Sequence, residues 1–291
     1  MKRALALVVS LILVLVPASA AAKKHKRHGL GRVVTATATG NTVSAPGQES
    51  IATATCPPRL FAVGGGFQAP ITAISSMVVH DSYRSSAQAW TAAGRAFSGT
   101  SAVTAYAYCR RAAKHPISDV TGTASVAASG APGTATATCP SGRLIGGGFQ
   151  STVGPGNAQV ALVEVNASTS SSTWTTTAVA NGSGPQTLTA HAYCMRRVRA
   201  PVLVSASSSG NVALRESVTA TTPRCPISKK KRKRRPRRRL SAGGYSSSIG
   251  TPTGPVGILS ESRLGPVGWI ATDVNGTTPG TISVTSQGIC F

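Results

Sequence analysis

The feature that most constrains the fold of this chain is a threefold internal repeat. Each copy opens with Cys, continues through a small-residue motif that ends in an aromatic residue and then a lone Trp, and closes with a second Cys. The cysteines of the three copies are Cys56 and Cys109, Cys139 and Cys194, and Cys225 and Cys290, at separations of 53, 55 and 65 residues. Internal repeats decide the fold of a chain, so they are settled first. The equivalence predicts one disulfide within each copy.

The segments around the cysteines alternate in a way that is typical of β-strands. In residues 103–109, Val103, Ala105, Ala107 and Cys109 fall on one small apolar face, and the other copies keep that face. A period of two with one constant face indicates a half-buried strand. Helical periodicity is absent after the first residues, and Gly, Pro, Ser and Asn recur every few residues. The sequence therefore predicts an all-β, antiparallel fold.

The repeats predict three units of roughly 80 residues, each with a modest core that one disulfide supports. The predicted segments are β repeat 1 at 32–111, β repeat 2 at 118–197 and β repeat 3 at 202–291, after a signal peptide at 1–22 and a basic segment at 23–31. Two arrangements suit such units. The favoured one is a row of tandem sandwich modules that fold independently, and the alternative is a single pseudo-threefold β-prism.

The first residues have the composition of a secretory signal peptide. Lys2 and Arg3 precede an apolar run from Ala4 to Val16, and small residues follow Pro17. The run is shorter than the roughly 20 apolar residues of a membrane-spanning helix. Cleavage after Ala20 or after Ala22 fits equally well. We therefore expect a secreted, extracellular or cell-surface protein without a transmembrane segment, in a compartment where disulfides form.

The charge of the chain is concentrated in short tracts. The formal net charge is +23, from 30 Lys and Arg against 7 Asp and Glu, although only 13% of residues are charged. The longest tract consists of Lys229, Lys230, Lys231, Arg232, Lys233, Arg234, Arg235, Arg237, Arg238 and Arg239. It stands where the other copies have only the short links Pro57–Arg59 and Pro140–Arg143. Comparison of the tract with these short links predicts a protruding loop at a hairpin tip. This loop is either a polyanion-binding element or a solvated insertion without a role.

The Cys-Pro, Gly-Gly-Gly-Phe, Trp and Tyr-Cys motifs of each copy resemble repeats in uncharacterised secreted bacterial proteins, over nearly the whole mature chain. In outline they are also similar to the threefold repeats of vitelline-membrane outer-layer proteins, which form a β-prism. The interval between cysteines is longer here, and the Trp is an addition to that pattern. Neither resemblance implies a catalytic residue.

Other candidate sites have structural interpretations that we favour. Trp90, Trp174 and Trp269 fit core anchors better than sugar-stacking platforms, with the structural glycines of each unit lying against its Trp. His80 and Asp81 are adjacent, but no pattern indicates a catalytic triad or a carboxylate pair. The histidines occupy no equivalent places, and no Cys-x-x-Cys spacing occurs, so neither a metal nor a cofactor is predicted.

These observations favour an exported, non-enzymatic protein that associates electrostatically with anionic polymers at low specificity. No aromatic residue interrupts the basic tract, so base stacking does not contribute to binding. The alternatives from other classes are a carbohydrate-binding repeat module with one shallow site near each Trp, and a secreted hydrolase.

Overall fold

The structure is a computed structural model that describes residues 33–70, 76–111, 116–128, 130–153, 160–181, 184–196, 198, 200–213, 216–226, 240–249, 256–264, 268–275 and 280–291. Within these residues each repeat contributes six β-strands. Repeat 1 contains β1 Val34–Thr39, β2 Glu49–Thr55, β3 Leu60–Gln68, β4 Ser76–Ser86, β5 Ala89–Ser98 and β6 Thr104–Arg111. Repeat 2 contains β7 Ile117–Val126, β8 Gly133–Thr138, β9 Arg143–Ser151, β10 Val160–Ser168, β11 Thr173–Asn181 and β12 Gln186–Met195. Repeat 3 contains β13 Val202–Val212, β14 Ser217–Thr221, β15 Leu240–Ile249, β16 Val256–Leu264, β17 Gly268–Asn275 and β18 Gly280–Cys290.

The strands follow the alternation of the sequence. In β8, Ala135 and Ala137 are buried while the threonines on either side are exposed. Successive side chains of a strand point to opposite faces, so one face of β8 enters the core and the other meets solvent. Cross-strand threonine pairs then order the outer face, as where Thr134 and Thr177 hydroxyls lie 3.0 Å apart. The predicted all-β, antiparallel fold is confirmed.

Each repeat is divided between two sheets. Its first, sixth and third strands form half of one sheet, and its second, fifth and fourth strands form half of another. The three six-stranded sheets have the orders β1-β6-β3-β16-β17-β14, β13-β18-β15-β10-β11-β8 and β2-β5-β4-β9-β12-β7. Every sheet therefore combines halves of two repeats. The ring closes because β3 of the first repeat pairs with β16 of the third.

The seams between repeats are short and equivalent. Each seam consists of two residue pairs in the antiparallel register, in the middle of its six-stranded sheet. One pair at each seam joins the aromatic residue of the small-residue motif to the next repeat. These pairs are Phe67 with Glu261, Phe149 with Ser82, and Tyr245 with Asn166. The same sequence position thus joins neighbouring repeats three times.

The three sheets form the sides of a triangular prism. Edge strands meet at its corners, where β1 contacts β2, β7 contacts β8, and β13 contacts β14. The strands β3, β9 and β15 contact one another in the middle. Each repeat therefore occupies one corner, with its two half-sheets facing each other.

This arrangement corrects the expectation of tandem modules that fold independently. The alternating pattern shows which face of a strand is buried, but strands of all three repeats carry the same pattern and compete as partners. The structure has the alternative arrangement, a closed pseudo-threefold β-prism. It retains the predicted units, each antiparallel and each with its own disulfide.

The disulfides join the two half-sheets of each repeat. Cys56 follows β2 in one sheet and Cys109 lies in β6 of another, with their Cα atoms 5.6 Å apart. Cys139 bonds to Cys194 and Cys225 bonds to Cys290, both at 5.7 Å. These are the pairs that the repeat equivalence predicts.

The tryptophans lie over the middle glycine of their own repeat. A Cβ atom added at Gly65 would lie 2.0 Å from Cδ2 of Trp90, and one at Gly147 would lie 2.0 Å from Cδ2 of Trp174. Gly243 and Trp269 repeat the contact at 2.3 Å. All three indole rings have no exposed surface. The predicted core role of the tryptophans and the predicted place of the glycines are therefore confirmed.

Three equivalent aromatic rings meet at the centre of the prism. Phe67 and Phe149 pack edge to face with ring centroids 6.1 Å apart, and Phe149 packs in the same way on Tyr245 at 6.5 Å. The Tyr245 hydroxyl donates to the carbonyl of Val163 at 3.3 Å. The buried phenol therefore keeps a hydrogen bond, as a polar group away from water requires.

Buried side chains also cross the seams. The Tyr193 hydroxyl accepts a hydrogen bond of 2.7 Å from the backbone nitrogen of Arg84, and its ring packs edge to face on Trp90. The equivalent Tyr108 makes the same contacts with Arg263 and Trp269. Each of these repeats thus completes the core of its neighbour.

Candidate functional site

The links that follow the first Cys of each repeat lie at one end of the prism. In the sheet that contains β6 and β14, Cys109 pairs with Val34 at the start of β1, and Thr221 at the end of β14 pairs with Ile270 near the start of β17. Each neighbouring pair from β1 to β17 is antiparallel, so β1, β3 and β17 run in the same direction and begin at the same end of the sheet. The strand ends next to Cys109 and Cys225 therefore lie at that same end. The same relation recurs around the ring, so all three disulfides and all three links share one end.

The exposed arginines of the described residues converge on this end. Arg59 and Arg143 lie where the links join β3 and β9, and Arg224 precedes the first Cys of repeat 3. Arg111 and Arg196 each stand two residues after the second Cys of their repeat. All five are exposed. We call the end of the prism that carries these five arginines the basic end.

Local structure supports the arginines of repeat 2 within the basic end. The Arg196 Nε atom donates to the Ser141 hydroxyl at 3.1 Å, and the Arg143 Nη1 atom donates to the Ser171 hydroxyl at 3.2 Å. Gly142, which lies between Ser141 and Arg143 in the chain, has a φ of 92°, a backbone conformation that glycine adopts without steric cost. In repeat 1, Arg59 itself has a φ of 66°, which turns the chain sharply between two sheets. These turns present planar guanidinium groups, whose paired donors match phosphate and sulfate oxygens.

Carboxylates at this end do not balance the arginines. Among the described residues, Asp119 is the exposed carboxylate close to it, and both of its oxygens lie 3.4 Å from Nδ1 of His191. Glu49 and Glu216, at the starts of β2 and β14, lie at the opposite end. The basic end therefore carries a net positive charge.

The polybasic tract 229–239 lies outside the described residues, so the ten predicted polyanion-binding side chains are not placed. Its flanks are described: Pro226 follows Cys225, and Leu240 begins β15 and pairs with Cys290. Both flanks belong to the basic end. The strands that the tract connects, β14 and β15, lie in different sheets, so the expectation of a hairpin tip is wrong. Their alternating pattern alone does not show whether two successive strands pair.

Other basic segments of the sequence join the prism at the same end. β1 begins there, and the basic segment 23–31, which precedes β1 in the sequence, lies outside the described residues. Lys114, Arg197 and Arg199 lie in sequence between strands that end and begin there, outside the described residues.

The buried tryptophans leave no indole face for a sugar to stack on. Two of the Nε1 atoms are also occupied inside the core, since Trp90 donates to the Ser82 hydroxyl at 3.0 Å and Trp174 donates to Oδ1 of Asn166 at 2.7 Å. Asn166 itself is fully buried, so its Asn-Ala-Ser sequence is not accessible to glycosylation.

His80 lies in a buried ionic cluster, and this position defines its charge. Its Nε2 atom is 3.0 Å from a Glu49 oxygen, and its Nδ1 atom is 3.2 Å from an Asp81 oxygen. Burial by itself would lower the pKa of His80, but the two carboxylates outweigh that effect and raise the pKa to about 9. The imidazole is therefore positively charged at neutral pH, with both nitrogens facing carboxylates. It does not serve there as the base that a serine nucleophile needs.

Two further carboxyl groups are buried in the prism. Burial raises the pKa of Glu261 well above its usual range, although Nδ2 of Asn166 donates to it at 3.3 Å. Burial also raises the pKa of Asp273 to about 6, against hydrogen bonds from the Ser247 hydroxyl and the Val274 backbone nitrogen. Burial therefore shifts both carboxyl groups toward their neutral form, although a pKa of about 6 leaves Asp273 mostly ionised at neutral pH.

The sequence reasoning missed the arginines of the basic end. Their signal is in the repeat itself, because an Arg stands three or four residues after the first Cys in repeats 1 and 2, and another stands two residues after the second Cys. Arg59 and Arg196 are far apart in the chain, and the pairing of half-sheets from repeats 1 and 2 brings them to the same end of the prism.

No protein-family model matches this chain, and no curated protein matches it. The described residues contain no helix that is long and apolar enough to cross a membrane.

Proposed function

We propose that this chain is an exported, non-enzymatic protein of the cell surface or extracellular matrix that binds linear anionic polymers. The binding element is the tract Lys229–Arg239 together with the basic end from which it extends. The observation that carries the proposal is the convergence of all exposed described arginines on the end where the flanks of the tract lie.

Electrostatic physics supports this proposal. A cluster of Lys and Arg attracts polyanions over about a Debye length and releases their condensed counterions on binding. The tract adds ten positive charges to a surface that is already basic. It contains no aromatic side chain for base stacking, so the affinity depends on charge density, and selectivity among polyanions is low.

The disulfides support the proposed export of the protein as well. All six cysteines form disulfides, which persist in oxidising environments such as the cell exterior. A signal peptide at 1–22 would deliver the chain there. Anionic polymers of cell surfaces and matrices are the polyanions available in that compartment.

The test replaces Lys229–Arg239 with the link Pro140–Arg143 of repeat 2. A second variant keeps the length of the tract and changes its basic residues to Gln, which separates charge from loop length. Both variants should keep the circular dichroism spectrum of the parent, because repeat 2 closes the same disulfide with the short link.

Both variants should elute from a heparin column at lower salt than the parent. With duplex DNA as probe, the slope of log affinity against log salt should fall by about 0.9 for each phosphate contact that is lost. Elution of parent and variants at the same salt concentration would refute the tract as the binding element.

A further inference from the structure

One position of the repeat differs in charge among the three copies. It lies on the fourth strand of each repeat, eight residues before the Trp, and pairs across a seam with the aromatic residue of the small-residue motif. In repeats 1 and 2 the side chain at this position accepts the hydrogen of the indole Nε1 atom, at 3.0 Å and 2.7 Å. The residues at this position are Ser82, Asn166 and Glu261. Repeat 3 therefore has a carboxyl group where the other repeats have a neutral acceptor.

Glu261 does not replace that acceptor. Its Oε2 atom instead accepts a hydrogen bond of 3.3 Å from Nδ2 of Asn166 in repeat 2. The Glu261 Oε1 atom and the Trp269 Nε1 atom are both buried, and neither has a hydrogen-bond partner among the described residues. Each buried polar atom without a partner costs free energy. The surroundings of Trp269 are therefore less well satisfied than those of the other two tryptophans.

The seam that contains Glu261 is also the one that closes the ring. It joins β16 of the last repeat to β3 of the first through two residue pairs, whereas the other two seams join repeats that follow each other in the chain. A contact between distant parts of a chain must offset the entropy of closing the loop between them. This seam can therefore open without stretching a link between consecutive repeats.

The surroundings of Glu261 favour its neutral form. Burial raises the pKa of its carboxyl group well above the usual 4.5, against the Asn166 hydrogen bond, which lowers it. Among the described residues of other strands, Tyr108 of β6 and Tyr245 of β15 interact electrostatically with it, and burial keeps both phenols neutral by raising their pKa. The charged residue that follows on β16 is Arg263, whose backbone nitrogen donates to the Tyr108 hydroxyl. Ionisation of Glu261 is therefore unfavourable in the closed seam, whereas water stabilises the carboxylate once the seam opens.

We infer that Glu261 makes the closure of the ring depend on pH, because its neutral carboxyl group suits the closed seam between β16 and β3 and its carboxylate favours the open one. A carboxyl group whose pKa is raised in the closed state contributes stability at low pH, and this stability is lost as pH rises from 4.5 towards the raised pKa. Opening releases one proton in this range, so the equilibrium constant for opening should increase by up to about tenfold for each pH unit. The inference is independent of the proposed binding function.

Two equivalent backbone amides report on two of the seams. The Arg263 nitrogen donates to the Tyr108 hydroxyl across the closing seam, and the Arg84 nitrogen donates to the Tyr193 hydroxyl across the seam between repeats 1 and 2, both at 2.7 Å. Native-state hydrogen exchange of the full chain, followed by NMR from about pH 5 to about pH 8 and corrected for the intrinsic exchange rate, measures the opening of each seam. The matched variant is Glu261→Gln, which keeps the shape of the side chain and does not ionise.

In the parent, protection of the Arg263 amide should fall as pH rises, by up to about tenfold for each pH unit. Glu261→Gln should remove this fall and leave the profile of the Arg84 amide unchanged. His80 and Asp273 titrate in both proteins, so the difference between parent and variant isolates Glu261. A second variant, Glu261→Asn, should also slow the exchange of the Trp269 indole proton, because asparagine accepts that hydrogen in repeat 2.

The same fall at Arg263 in the parent and in Glu261→Gln would overturn the inference. Equal falls at Arg84 and Arg263 that the substitution removes together would show that the whole prism opens at once, which also overturns it. If Glu261→Gln lacks a thermal transition, NMR titration of the Glu261 carboxyl carbon in the parent decides the question. A pKa near 4.5 in the folded chain then refutes the inference, and a raised pKa that coincides with the fall at Arg263 supports it.

Discussion

The substitution Gly147→Ala tests whether the glycine motif exists to admit the tryptophan. A methyl group at this position would lie 2.0 Å from Cδ2 of Trp174, well inside van der Waals contact. The indole ring has no free space to move into, because it is fully buried and its Nε1 atom is hydrogen-bonded to Asn166 at 2.7 Å. The added methyl therefore displaces the ring from its site.

The loss of folding stability that Gly147→Ala causes depends on how the core responds to the added methyl group. Inserting a methyl group into a packed core costs about 1–3 kcal/mol, and losing the contacts of a buried Trp costs about 3–5 kcal/mol. We expect Gly147→Ala to lower the free energy of unfolding by about 3 kcal/mol, between these limits. Denaturant unfolding followed by tryptophan emission measures the loss, and a shift of the native emission to longer wavelength would report the displaced ring.

The neighbouring Gly146 provides the matched control. A Cβ atom there would lie 3.0 Å from the Cβ atom of Ala242, and Ala242 itself occupies the equivalent position in repeat 3. That Cβ atom would also lie 3.1 Å from the carbonyl oxygen of Val63, so the neighbours must move by a few tenths of an ångström. Gly146→Ala should therefore cost about 1 kcal/mol, well below the loss for Gly147→Ala, because alanine also restricts the unfolded chain. In a Trp174→Leu background, Gly147→Ala should cost less than in the parent, since the smaller side chain leaves room for the methyl group. Equal losses for Gly146→Ala and Gly147→Ala, or no coupling to Trp174, would refute the reasoning.

The remaining predictions concern pH and the closure of the ring. The folded-state pKa of Asp273, about 6 against 3.8, gives stability that is present at low pH and is lost as pH rises through about 6. The folded-state pKa of His80, about 9 against 6.5, gives stability that is present below about 6.5 and is lost as pH rises through about 9. Each shift corresponds to about 3 kcal/mol, so the free energy of unfolding should be greater near pH 5 than near pH 10, and Asp273→Asn and His80→Gln should each flatten one window. A flat profile in the parent chain would contradict both assignments. Repeat 2 expressed alone should not be a folded monomer, because Phe149 and Tyr193 would lose the neighbours that bury them. Light scattering and near-ultraviolet circular dichroism would show unfolded chain or an assembly of several copies, and a folded monomer would contradict the interlocked prism.

Much of the molecule could be read from the sequence because the chain repeats. A period of two shows strands without knowledge of their partners, since it needs only one buried face. The spacing of equivalent cysteines predicts Cys56–Cys109, Cys139–Cys194 and Cys225–Cys290, because each copy must satisfy the same geometry. The glycine motif and the single Trp of each unit predict their mutual contact, since only a residue without a side chain leaves room for an indole ring.

The exchange of half-sheets between repeats was decided by the tertiary structure. Strands of all three repeats have the same small apolar face, so local pattern and propensity do not distinguish pairing within a repeat from pairing with the next. The choice depends on long-range packing, such as the rings of Phe67, Phe149 and Tyr245 at the centre and Tyr193 across a seam. The basic end has the same origin. Arg59 and Arg196 lie at the same end of the prism because the half-sheets of repeats 1 and 2 pair in one sheet, whereas the sequence by itself determined only that each stands near a cysteine of its own repeat.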